Sequence, residues 1–202
     1  MPGAVLVLLL MAAIAATSVG AAGGAAKKAL RCATSGHTIA KNRHIRVFRV
    51  GDPIYHSTYA CVLPSGRVRH LGDYDGDGST GWDGVYGFVL ARNFVAYEDA
   101  LCDKTACTGS IKSFNVVTRE MVHRARIPND SHRFDVLVAN ARGSIAWTRG
   151  GTVWKCDAPK CVLLDRGPPS RRVYVNPNSL TLQGHTLHWT HDDGTTHSAR
   201  LK

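Results

Sequence analysis

The sequence predicts an all-β, β-propeller-like fold of about four repeats, each of three to four antiparallel strands. One observation is a recurring pattern of apolar residues around a spacer, closed by an aromatic: Ile45-Arg-Val-Phe48, Phe94-Val-Ala-Tyr97, Ser144-Ile-Ala-Trp147 and Thr186-Leu-His-Trp189. The aromatics stand 49, 50 and 42 residues apart, the length of a four-stranded propeller blade. A second observation is the regular punctuation by turn formers such as Pro64-Ser-Gly66, Arg142-Gly143, Arg149-Gly-Gly151 and Asp193-Gly194. A third is that no sustained helical period follows residue 26. A β-sandwich with similar strand lengths is the alternative.

Apolar, aromatic and β-branched runs between those turns place the strands in order. The first repeat offers 43–50 and 55–63, and the second 85–91, 94–101, 110–117 and 120–127. The third offers 134–140, 144–148, 152–157 and 161–165, and the last 179–182, 186–190 and 195–201 before the chain stops one strand short. Residues 29–33 are expected to supply that missing outer strand and close the ring, since closure leaves no free sheet edge. In the third repeat Ile145 and Trp147 share one face and Ala146 takes the other, so a sheet covered on both sides is offered a large surface and a small one.

The first 26 residues carry no charged side chain and end in the small-residue tract 18–26, which reads as a removable export signal despite the lack of a basic start. A membrane anchor is the competing reading, but the apolar run falls short of the ~20 residues that span a bilayer. Residues 27–202 then form a single domain, and no membrane span is expected in it. Six cysteines suit an exported, disulfide-bonded chain. Cys102 with Cys107 and Cys156 with Cys161 share one spacing that fits a bridge across a tight turn, which leaves Cys32 for Cys61 by elimination. A C-x4-C metal site is the alternative, and neither pair has a neighbouring His or second CxxC to complete it.

Three segments carry the resemblance to a known group. They are Gly143-Ser-Ile-Ala-Trp-Thr148 through Leu164-Asp-Arg-Gly167, Ser179-Leu-Thr-Leu182 through Trp189-Thr190 to Ser198-Ala-Arg-Leu201, and Tyr86-Gly-Phe-Val-Leu-Ala-Arg-Asn-Phe-Val-Ala-Tyr97. Together they resemble the repeats of exported actinobacterial proteins of propeller-like type. The resemblance implies export and fold, and brings no catalytic residue with it.

Chemistry is sparse. There is no G-x-S-x-G, phosphate-cradling glycine loop or H-E-x-x-H, and no catalytic residue is assigned. The candidate metal ligands are Asp73, Asp75, Asp77 and Asp83, because Asp73-Tyr-Asp-Gly-Asp-Gly78 matches the opening of a calcium loop. The match fails at the twelfth position, which is Gly84 where a bidentate Glu belongs, and a solvated Asp/Gly loop competes with it. Tyr74, Trp82 and Tyr86 flank the segment and either stack on carbohydrate or pin the loop. His185, His188, His191 and His197 crowd the last repeat, but strand alternation sends His188 opposite to His185 and His191, so they read as solvated hairpin residues. Asn129-Asp-Ser131 fits a glycosylation acceptor.

The net charge of +10 is dispersed without a long basic run, so the expected partner is an anionic cell-envelope polymer or an acidic protein, not nucleic acid. The expectation is therefore a secreted or envelope-associated binding protein. A polysaccharide- or ester-acting hydrolase or lyase using the 73–83 carboxylates is one alternative, and a structural envelope component is another. An open ring would invite a second copy, giving a homodimer. If the 73–83 segment holds calcium, the melting temperature in excess calcium should exceed that in chelator by a few degrees, and superimposable melts would reject the site.

Overall fold

The computed structural model describes residues 30–76, 81–103, 106–127, 134–157, 160–167 and 174–202, with the backbone alone at 81 and 82. The expected leader 1–26, Asp77, the side chain of Trp82 and the segment 129–131 lie outside the described residues. The chain is all-β, and its strands run as successive antiparallel meanders. The first meander comprises β1 (His37–Lys41), β2 (Ile45–Gly51), β3 (Tyr55–Val62) and β4 (Val68–Asp75). The second comprises β5 (Gly81–Ala91), β6 (Phe94–Asp103), β7 (Cys107–Asn115) and β8 (Glu120–Ile127). The third comprises β9 (Val136–Ala139), β10 (Ile145–Arg149), β11 (Thr152–Asp157) and β12 (Lys160–Asp165). The fourth has only β13 (Thr181–Gln183), β14 (Thr186–Thr190) and β15 (Thr196–Arg200). The first two meanders form one eight-stranded sheet, yet β4 and β5 meet at a single pair, Asp75 with Asp83.

The four aligned aromatics fall on the second strand of each meander, and all four are buried. Their placement explains how the meanders stack. Val95 and Tyr97 of β6 pack back onto Ile45, Val47 and Ala60 of the first meander. Ile145 and Trp147 of β10 pack back onto Ala96, Ile111, Ala125 and Ile127 of the second. Leu187 and Trp189 of β14 pack back onto Ala146 and Val153 of the third. At each junction the aromatic face of one meander therefore meets a face carrying Val47, Ala96 or Ala146, the residue just before the preceding aromatic. Strand alternation produces this directly, because those neighbours point through the opposite side of the sheet. The innermost strands follow suit, with β1 beside β5, β5 beside β9 and β9 beside β13. This sequential, blade-like stacking is propeller-like.

Of the expected closing strand at 29–33, residue 29 lies outside the described residues and the rest is not a strand: residues 30 and 31 are irregular and 32–36 make turns and bends. This segment instead folds over the outer face of the first meander, where Cys32 packs on Phe48 and Cys61. Arg46 fixes it there, its guanidinium donating to the Cys32 carbonyl (2.6 Å), the Gly36 carbonyl (3.0 Å) and Thr38 Oγ1 (2.7 Å) while lying 4.8 Å from the centre of the Phe48 ring. None of the four buried clusters joins the fourth meander to the first. The strands β1 and β4 were absent from the sequence expectation, and Asp73 to Asp75, expected in a loop, are the last residues of β4.

Three disulfides are present: Cys32–Cys61, Cys102–Cys107 and Cys156–Cys161. The two short ones lie at facing positions of the β6–β7 and β11–β12 ladders, with Cα atoms 4.0 Å apart in both. Each is worth roughly 2 kcal/mol of lost unfolded-chain entropy, and the 29-residue span of Cys32–Cys61 roughly 3–4. At Gly87, with φ of +59°, an added Cβ would run into the Phe134 ring, so glycine suits both the left-handed backbone and the close approach of that ring. The C-terminus is tied to the third meander, where Ser144 Oγ (2.5 Å) and Asn140 Nδ2 (2.9 Å) donate to the Lys202 carbonyl.

Leu187→Ala should empty the junction between the third and fourth meanders and cost about 2–5 kcal/mol in denaturant unfolding, with a loss under 1 kcal/mol showing that the junction is not tightly packed. His123, buried on β8, offers a second test. Burial holds its imidazolium below the ordinary range, with Asp157 pulling weakly the other way. Because the unfolded chain then binds a proton that the native ring refuses, stability should be full above about pH 6.5 and fall as the pH drops through that value. His123→Leu should flatten that part of the profile, and an unchanged slope would remove His123 as its cause.

Candidate functional site

Two constellations on different meanders hold polar side chains that the fold itself does not consume. The first is a groove of about 490 Å³ on the second meander, lined by Asp99 and Leu101 of β6, Thr108 and Ser110 of β7, and Arg124 and Arg126 of β8. The ladder sets these residues side by side, since Asp99 faces Ser110 and Ser110 faces Arg126, while Lys112 faces Arg124. Two-residue alternation puts all of them on the side that, further along the same strands, packs against the first meander. Lys112 occupies the Asp99 carboxylate. Arg124 and Arg126 are exposed and enter no ion pair among the described residues. Leu101, 61% exposed, forms an apolar lip. Two residues before Asp99 on the same face of β6, Tyr97 is buried in the core, where burial first and the Asp99 charge second raise its phenol far above the ordinary value. The groove is thus a cationic trough with hydroxyl donors from Thr108 and Ser110.

The second constellation lies between the third and fourth meanders. Asp165 closes β12, His191 follows β14, and His197 sits on β15 opposite Trp189. Asp165 Oδ2 accepts from Trp189 Nε1 at 2.7 Å and lies 2.8 Å from His191 Nε2, while Oδ1 accepts from the Gly167 N–H at 2.8 Å. Burial alone would raise the Asp165 carboxyl, but the bonds from Gly167, Trp189 and His191 hold it below the usual carboxylate range. The His191 and His197 rings stand 4.2 Å apart, and His197 Nε2 is buried without a hydrogen-bond partner. One ligand atom from each of Asp165, His191 and His197 lies within 4.8 Å of the others. Among the described residues this is the one such trio.

The carboxylates singled out from the sequence are arranged differently. Asp73 turns to Ser57 Oγ (2.6 Å) and His70 Nε2 (2.9 Å), and the Ser57 bond first, then His70, holds it below its ordinary range against the effect of burial. Asp75 and Asp83 do meet, at the single β4–β5 bridge, where the Asp75 N–H donates to Asp83 Oδ1 at 3.0 Å. Beside them, Tyr74 stacks on His56 at 4.7 Å and takes the Tyr86 ring edge-on at 6.1 Å, so the two tyrosines pack on side chains of their own sheet. In the last repeat His191 and His197 come together while His188 points through the other side of β14, as alternation requires, and His185 lies in the β13–β14 turn. Sequence reasoning missed the trio because Asp165 comes from the preceding repeat. The groove was equally hidden, since register alone makes neighbours of Arg124, Arg126 and Ser110.

No protein-family model matches the chain, and no curated protein matches it. Among solved structures the chain is similar to the computationally designed Ika4 protein, at 17% identity over 84% of this chain and 94% of that one, with a TM-score of 0.44. It is also similar to the WD40 domain of SCAP from fission yeast, at 12% identity over 80% of this chain and 43% of that one, with a TM-score of 0.30. Both likenesses are too loose to bear on fold or function, and the propeller-like description rests on the meanders and their buried junctions.

Proposed function

We propose that the protein is an exported binding module that holds an anionic partner, a cell-envelope polymer or an acidic protein surface, in the groove of the second meander. The observation that carries this reading is the pair of exposed guanidinium groups of Arg124 and Arg126, without an ion-pair partner among the described residues, lining one groove with the Ser110 and Thr108 hydroxyls. Guanidinium forks match carboxylate and phosphate oxygens in pairs, and the hydroxyls add neutral donors to the same row. The anion completes the groove, because Lys112 already neutralises the Asp99 charge there. The overall charge of +10 draws such a partner in from a distance, and the disulfides suit a protein working outside the cell.

Retention of the oxidised protein on isolated cell-envelope material, followed across a salt series, tests this. Binding should saturate and weaken steadily with salt, and Arg124→Ala with Arg126→Ala should weaken it at least tenfold while leaving the melt unchanged. Retention by the double variant equal to that of the parent would overturn the groove as the site.

A further inference from the structure

We propose that Asp165, His191 and His197 form a binding site for a divalent transition-metal ion, of the zinc or cobalt type, at the junction of the third and fourth meanders. Two imidazoles and one carboxylate are the donor set that borderline cations select over calcium or magnesium, which take oxygen alone. Thiolates play no part, because all six cysteines are held in disulfides. The three donor atoms, within 4.8 Å of one another, are slightly more open than the ~3.3 Å separations around a tetrahedral ion with bonds near 2.0 Å.

Three features distinguish this trio from exposed histidines on a hairpin. His191 is only 7% exposed, so its ring is already desolvated and fixed. His197 Nε2 is shielded from solvent and unpartnered, a cost that a bound cation would remove. Asp165 is oriented by the Trp189 indole N–H and the Gly167 amide, the outer-layer support that metal-binding carboxylates receive. Three protein donors leave a coordination position for water or a ligand atom. Because Asp165 ends the third meander and both histidines belong to the fourth, a bound ion would fasten the three-stranded meander to the rest of the chain. The site is independent of the groove around Arg124, which lies on the second meander.

The test uses the whole oxidised chain, stripped of metal by chelation and titrated with Zn²⁺ during thermal unfolding and with Co²⁺ by visible absorption. One equivalent of Zn²⁺ should raise the melting temperature, and Co²⁺ should give the intense visible bands of a low-coordinate nitrogen–oxygen site. His197→Ala, or the size-preserving His197→Gln if the alanine variant does not fold, should weaken binding at least tenfold and abolish the bands. His188→Ala, on the opposite face of the same strand, should bind as the parent does. The proposal is overturned if the parent shows neither the shift nor the bands, if the His197 variants bind as tightly as the parent, or if His188→Ala loses binding equally.

Discussion

Everything in this fold depends on a size alternation along the second strand of each meander. The aromatic at Phe48, Tyr97, Trp147 or Trp189 points one way and its immediate predecessor points the other, so each sheet has a bulky face and a shallow one. Stacked in sequence, bulk enters shallow relief at three junctions, and each junction holds its own buried cluster. Loops that sit near the junctions inherit their positions from this packing. Asp165 and His191 come within 2.8 Å because Trp189 has to seat on Val153 and Ala146, and not because the two residues are near in sequence.

The two ends of the stack show the same rule under different constraints. At the first meander the face of Phe48 is covered by the turn carrying Cys32, by the Cys32–Cys61 bridge and by the Arg46 guanidinium lying over its ring. At the fourth, the predecessor position that holds Val47, Ala96 and Ala146 elsewhere is the polar His188.

The parts of the structure legible in the sequence were those governed by local periodicity. Strands β2, β3 and β5 to β15, the four aromatics and the two short cysteine loops all announce themselves through alternation or tight-turn spacing. Strand β4 was obscured because Gly72, Asp73 and Asp75 are poor strand formers, and its place is set by pairing with β3 through an irregular register. Strand β1 was obscured because it is short and polar and is held by Arg46 and by the bulged ladder to β2. Residues 30–33 did not become a closing strand because burying Cys32 against Phe48 and Cys61 uses the segment on its own meander. Functional groupings were the least legible. Arg124 with Ser110, and Asp165 with His197, are joined across 14 and 32 residues of chain by register and stacking, which no local pattern encodes.

The two faces also give the stack a direction. Because the bulky side of each meander looks back along the chain and the shallow side looks forward, a unit turned end over end would set two bulky or two shallow faces together, so the order of the meanders in space is tied to their order in sequence.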